Sequence, residues 1–209
     1  MIFRSYLLGS NKYRKFTQQI FYIYSRLFIT KNESTDFHCI NKLNYSVIFL
    51  NLQKNNSMAY NVVDIANKII ANINTEAGDL ISNLKLQKLL YYMQGYYIAI
   101  FNKKLFDDVI EAWQYGPVVP TMYMHFKEFG SSAITISDEI KENIIRLNTD
   151  EEENLFNDVF EQYNQYSAIA LMNMTHDEKP WRQIFNANPK GEIDFDLLKD
   201  FFLTQVEDD

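Results

Sequence analysis

A mainly α-helical (α+β) body, a compact bundle of about six to seven helices with a small β-ribbon around residues 107–137, follows from three observations. Beyond position 60, apolar residues recur in successive runs at helical spacing. Most of these runs are preceded by a Ser, Thr, Asn or Asp suited to cap a helix. One stretch, Asp107 to Tyr115, lacks that spacing, holds Val109, Ile110, Trp113 and Tyr115, and reads as a strand.

In order, Asn61 caps a first helix in which Val62, Ile65, Ala66, Ile69, Ile70 and Ile73 share a face and Asp64 complements the helix dipole. Glu76-Ala77-Gly78-Asp79 supplies a turn. Ser82 or Asn83 caps a second helix running to about Phe101, with Leu86, Leu89, Leu90, Met93, Tyr97 and Ile100 as its stripe and Lys85, Gln87, Lys88 and Gln94 off it. This helix is expected at the centre of the core. Gly95 within it costs about 1 kcal/mol relative to Ala, which points to a close neighbouring backbone or to a tolerated site. Tyr91, Tyr92, Tyr96 and Tyr97 read as rings wrapped around the core with their hydroxyls at its wet edge, or as a partner-binding face.

The strand holds Val109, Ile110, Trp113 and Tyr115, and Gly116-Pro117 is expected to stop it. Pro120 suits the first turn of a third helix through Met122, Tyr123, Phe126 and Phe129, closed by Gly130. Ile134 and Ile136, alternating with Thr135 and Ser137, are expected to pair with the strand. Thr149 and the acids Asp150 to Glu153 start a fourth helix with a buried stripe of Leu155, Phe156, Val159, Phe160 and Tyr163. Its acid run reads as dipole compensation on a solvated face. Ser167 caps a short fifth helix, Pro180 opens a sixth with Trp181, Ile184 and Phe185, and Asp194 caps a last one with Phe195, Leu198, Phe201 and Phe202. The tail Glu207-Asp208-Asp209 is expected to fray.

Of 209 residues, 47% are hydrophobic and 15% aromatic, enough to build a core and to exclude a wholly disordered chain. The single Cys39 excludes an intramolecular disulfide, and no Cys/His spacing fits a structural zinc. The longest apolar runs, such as Tyr96 to Phe101, are too short to span a membrane. Ser10 to Thr30 faintly resembles a signal peptide, but Ser25 and Arg26 interrupt it, so the chain reads as cytoplasmic.

Charge divides the chain. Residues 1–57 hold eight basic and two acidic residues, a net of +6; the rest holds 12 basic and 25 acidic, a net of −13. The leader, residues 1–57, has a possible helix near Phe16 to Phe28 and otherwise reads as disordered. Three readings compete: a basic arm for nucleic acid or a membrane surface, a small accessory domain, or an over-extended frame with translation starting at Met58. Nucleic acid is disfavoured for the acidic body and undecided for the leader.

No HExxH, GxSxG, phosphate-loop or GxGxxG pattern is present. Among His38, His125 and His176, only His176 falls in a stretch dense with polar groups, read as a loop. With Asp177 and Glu178 it could act as acid and base. The plainer reading is that Thr175 and its neighbours cap the sixth helix while His176 fixes the loop against Trp181 through a buried hydrogen bond. Trp113 and Trp181 read as core anchors. No metal and no cofactor is expected.

Three stretches carry a family resemblance: Ser82-Asn83-Leu84-Lys85-Leu86-Gln87-Lys88-Leu89-Leu90-Tyr91-Tyr92, Glu111-Ala112-Trp113-Gln114-Tyr115-Gly116-Pro117-Val118-Val119-Pro120, and Thr175-His176-Asp177-Glu178-Lys179-Pro180-Trp181. In this order they resemble the Panacea, or SocA-like, antitoxin domain, over about Asn61 to Phe202. The resemblance implies a domain at 58–205 with an acidic tail at 206–209, belonging to an antitoxin of a bacterial or prophage toxin–antitoxin pair. It implies no enzyme, and neutralisation of a small cognate protein toxin by direct binding. Alternatives are an adaptor that delivers the toxin to a Clp-type protease, or an enzyme reversing toxin action through His176 and Glu178. Some relatives carry an N-terminal helix-turn-helix, which residues 1–57 do not show. Tyr92, Trp113, Tyr115, Gly116, Pro117, His176, Glu178 and Trp181 are the residues nominated for the motif core or the toxin-binding edge.

Overall fold

The Asn61 side chain accepts a hydrogen bond from the Val63 N–H at 2.9 Å and starts helix α1 (Val62–Ala71). The computed structural model describes residues 59–75 and 78–207. Expectations for the leader, Cys39, Glu76-Ala77 and the last two residues lie outside the described residues.

Ser82 caps helix α2 (Asn83–Phe101), which ends at Asn102 in a left-handed conformation (φ 54°). As expected, α2 forms the centre of the core, but it is buried on nearly every side rather than along one stripe. Lys85, Gln87, Lys88 and Gln94 are all buried with it. The reason lies in the chain around it. The segment after α2 is irregular, and its buried backbone groups need partners that no regular ladder supplies. Gln94 Oε1 accepts from the Leu105 and Phe106 N–H groups at 2.8 and 3.2 Å, and its amide donates to the Phe106 carbonyl at 2.9 Å. Gln87 Oε1 accepts from the Val119 N–H at 2.9 Å. These side chains are the hydrogen-bonding complement of a loop.

The sheet is a tight hairpin of β1 (Glu111–Trp113) and β2 (Gly116–Val118), antiparallel, with Trp113 opposite Gly116. Gly116-Pro117 therefore begins the second strand instead of ending the first. Neither turn residue, Gln114 nor Tyr115, has positive φ; Gly116, at φ 95°, supplies the left-handed residue the reversal needs. Ile134 does not pair with β1. It is buried, and its N–H donates to the Ile81 carbonyl at 2.8 Å. Along the other edge of β1, Ala112 N–H donates to Gly191 O at 2.9 Å and Ile193 N–H to Ile110 O at 2.8 Å, with Glu111 opposite Glu192.

Helix α3 (Pro120–His125), with Pro in its first turn, continues as a 3-10 turn (Lys127–Phe129) closed by Gly130. A short helix α4 (Asp138–Glu142), not anticipated from the sequence, is capped by Ser137. Then come α5 (Asp150–Asn164), capped by Thr149, α6 (Ala168–Asp177), capped by Ser167, α7 (Lys179–Ala187) with Pro180 in its first turn, and α8 (Phe195–Glu207). Asp194 Oδ1 accepts from the Leu197 N–H at 2.8 Å, as a cap should. Among the described residues the body is thus mainly helical with one small antiparallel ribbon, and α1, α5, α6, α8 and β2 all pack on α2.

Gly95 has a side chain, not a backbone, as its close neighbour. A Cβ there would fall 2.1 Å from Cε2 of Phe202, the fully buried ring that α8 lays across α2. The acid run of α5 is only partly solvated. Glu152 is buried and accepts from the hydroxyls of Tyr97 (2.5 Å) and Tyr60 (2.7 Å) and from Lys103 Nζ (2.7 Å). Glu153 pairs with Lys68 at 2.7 Å. Burial works against the charge of Glu152, but the Lys103, Tyr97 and Tyr60 bonds hold its pKa below the ordinary carboxylate value. These carboxylates serve the dipole and also fasten α5 to α1, α2 and the segment after it.

Candidate functional site

The α6–α7 junction, the middle of α2 and the hairpin meet at one place. Glu178 stands between the two helices in extended conformation (φ −81°, ψ 140°) and is the cap position of α7, but its side chain makes no capping bond. It turns to α2 instead, where its two oxygens accept from the hydroxyls of Tyr91 and Tyr92, each at 2.8 Å. The tyrosine hydroxyls are therefore inside the core, not at its wet edge. Tyr96 and Tyr163 share a further bond at 2.9 Å, and Tyr92 stacks on Tyr163 with ring centroids 3.7 Å apart. Helical spacing could place these rings inside, but it could not anticipate an acid from α6–α7 waiting for their hydroxyls.

Lys88 is fully buried one turn before Tyr92, and its Nζ donates to the Pro117 carbonyl at 2.7 Å. A Cβ on Gly116 would lie 2.7 Å from both Lys88 Nζ and Thr175 Oγ1, so β2 rests directly on the lysine and on α6. Thr175 is buried and donates to the Met172 carbonyl at 2.8 Å, so it does not cap α7 as anticipated. His176 is in the last turn of α6, not a loop. Its ring lies flat on Trp181, centroids 4.0 Å apart, and its buried Nε2 has no hydrogen-bond partner among the described residues. Trp181 is buried as expected, and its indole N–H donates to the Trp113 carbonyl at 2.8 Å. Trp113 itself is half-buried rather than a core anchor. Its indole N–H donates to Glu111 Oε2 at 2.7 Å, and the Tyr123 ring sits 5.1 Å away. Tyr115, at the hairpin tip, is 60% exposed.

The nominated residues thus fall into two sets. Tyr92, Gly116, Pro117, His176, Glu178 and Trp181 build the underside of the hairpin; Trp113 and Tyr115 stand on its outer side. Sequence reasoning missed Lys88, which the amphipathic pattern placed off the apolar stripe, and Tyr91. Their presence in the first motif was the available signal.

Burial pushes the Glu178 carboxyl up to about 7 although the Tyr91 and Tyr92 bonds pull it down, and burial pushes Lys88 down to about 7. Burial, then the charge of Lys88, lowers His176. Between pH 4.5 and about 7 the folded chain keeps a proton on Glu178 that the unfolded chain releases, so stability falls as pH rises. Between about 7 and 10.5 the unfolded chain holds a proton on Lys88 that the folded chain has shed, so stability climbs again. Asp158, raised to about 6 by burial and Glu161, adds to the falling limb, while His176 works against it. The expected result is a trough of thermal stability near pH 7. Glu178→Gln should flatten the limb below it and Lys88→Met the limb above it, as read from Tm at pH 5.5, 7 and 9. Parallel profiles in wild type and both variants would contradict this.

Residues 86–182, from Leu86 in α2 to Arg182 in α7, match the family model for "Antitoxin SocA-like, Panacea domain", a span that contains the hairpin, Lys88 and the Glu178 junction. A stretch of 65 residues is 42% identical to antitoxin SocA of Caulobacter vibrioides (strain NA1000 / CB15N), covering 31% of this chain and 34% of that protein. The match therefore spans about a third of that relative's length. No solved structure matches the chain.

Proposed function

We propose, from the Panacea/SocA-like antitoxin domain that this chain carries, that it is the antitoxin of a toxin–antitoxin pair and silences a small protein toxin by holding it, with the outer side of the hairpin in the contact. The observation that carries this is the division of the site. Lys88, Tyr91, Tyr92, Glu178 and Trp181 face inward and are hydrogen-bonded within the fold. Tyr115 and Trp113, of residue types that anchor protein contacts, remain outside. The body's net charge of −13 supports a basic partner, since complementary fields speed association. An acid–base role for His176 and Glu178 draws less support: both Glu178 oxygens are occupied by buried phenols, and His176 lies flat on an indole.

The test is co-expression with the product of a neighbouring reading frame that stops growth when expressed alone. Wild type should restore growth and co-purify with that product. Tyr115→Ala should weaken capture about thirty-fold, the equivalent of roughly 2 kcal/mol at a central anchor, with Tm unchanged. Glu178→Gln should still capture and rescue. Loss of rescue by Glu178→Gln with capture and Tm intact would favour the enzyme reading, and failure of wild type to capture would overturn the proposal.

A further inference from the structure

The face of β1 that carries Trp113 has a lysine resting on it and two carboxylates beside it. Lys190 Nζ sits 5.1 Å from the centre of the Trp113 ring, within cation–π range. Its backbone is left-handed (φ 69°), unusual for a residue with a side chain, and is held there by the bond from its N–H to the Ala112 carbonyl at 2.7 Å. Two residues along each strand, Glu111 and Glu192 stand directly opposite one another. Like charges so placed repel. Glu111 accepts the Trp113 indole N–H, and neither acid forms an ion pair among the described residues. Lys190 is itself exposed and, among the described residues, forms no ion pair and has only the ring as a partner for its charge.

We infer that this face receives an arginine or lysine from a basic segment of the partner protein, and that Lys190 covers the Trp113 ring until the partner arrives. The inference rests on the antitoxin reading for the identity of the partner, but its chemistry stands on the residues alone. An incoming cation gains the ring face from Trp113 and relief of the Glu111–Glu192 repulsion, and it displaces an ammonium that loses little by swinging into water. Arginine fits best, because its planar guanidinium stacks on the indole while its edge reaches a carboxylate. The acidic body favours such a segment at long range and disfavours a nucleic acid at the same face.

The probe is the peptide acetyl-Gly-Arg-Gly-Arg-Gly-amide, with the same peptide carrying Glu for Arg as control. It is titrated into the full chain while the indole N–H resonance of Trp113, assigned from Trp113→Phe, is followed by NMR. The Arg peptide should shift that resonance and the Glu peptide should not, with the effect weakening as salt is raised. Lys190→Ala should tighten binding about two- to five-fold, the range of an exposed cation–π contact, and Glu192→Gln should weaken it by a similar factor. Absence of a shift, or no tightening in Lys190→Ala at unchanged Tm, would overturn the inference. The same two variants, tested for capture of the growth-arresting product, separate it from the functional reading. If wild type captures and rescues but neither variant alters capture, the cation-receiving face is wrong and the antitoxin reading stands. If wild type fails to capture while the peptide results hold, the reading fails and the face remains.

Discussion

Replacing Gly95 by alanine is expected to lower the stability of the domain by about 2–4 kcal/mol, although alanine is the better helix former by about 1 kcal/mol. The added Cβ would sit 2.1 to 2.4 Å from three atoms of the Phe202 ring. That ring is fully buried and is hemmed in by Tyr91, Tyr92 and Tyr96, whose centroids lie 5.4, 6.2 and 5.0 Å from its own. A flat ring in such a cage cannot yield by a rotamer change, so α8 would have to lift from α2 along its length. Phe202→Ala alone should cost about 3–5 kcal/mol through the cavity it leaves. The double variant Gly95→Ala/Phe202→Ala should cost clearly less than the two changes added together, because the second substitution makes room for the first. Urea unfolding midpoints of the four proteins decide the matter; strict additivity would mean that the close approach of α8 to Gly95 is wrong.

Gly116→Ala is the second substitution with a large expected effect, about 2–4 kcal/mol, and it has two separable causes. At φ 95° a side chain is strained whatever surrounds it, which contributes about 1–2 kcal/mol. The remainder comes from contact with Lys88 Nζ and Thr175 Oγ1 at 2.7 Å. Comparing Gly116→Ala in the wild-type and Lys88→Ala backgrounds should remove part of the contact cost and leave the strain. In the proposed reading the same substitution also turns the hairpin away from its place over α6, so capture of the toxin should fall even at temperatures where the protein stays folded. Full rescue of growth by a folded Gly116→Ala protein would show that the hairpin's orientation is not part of the contact.

Helix starts were the most legible part of the sequence because they are set locally. Asn61, Ser82, Thr149, Ser167 and Asp194 each cap the helix assigned to them, since the cap bond involves residues only two or three apart. The ribbon was legible as a small sheet within 107–137, but its pairing was not. Gly116-Pro117 resembles a strand stop, and only the packing of β2 on Lys88 and α6 turns it into a strand. The pattern of α2 misled in a different way. Lys85, Gln87, Lys88 and Gln94 look like a solvated side because helical periodicity registers polarity and not the hydrogen-bond needs of a distant loop. Glu152 and Glu178 were read as a solvated acid and a candidate catalyst for the same reason. Their partners, Tyr60, Tyr97, Tyr91 and Tyr92, lie 55 to 92 residues away along the chain. The two sides of the hairpin could not be told apart in sequence, because aromatic type alone does not say that Trp181 is buried beneath it while Trp113 is half-buried and Tyr115 exposed.

The hairpin's backbone is already engaged on both sides. One margin of β1 is bonded to β2 and the other to residues 190–193, while the Pro117 carbonyl and the Val119 N–H are taken by Lys88 and Gln87. A visiting polypeptide finds no open ladder here to extend, so it cannot join by lending an extra strand, the mode that rewards an extended main chain of almost any composition. Whatever this hairpin grips, it grips by the visitor's side chains.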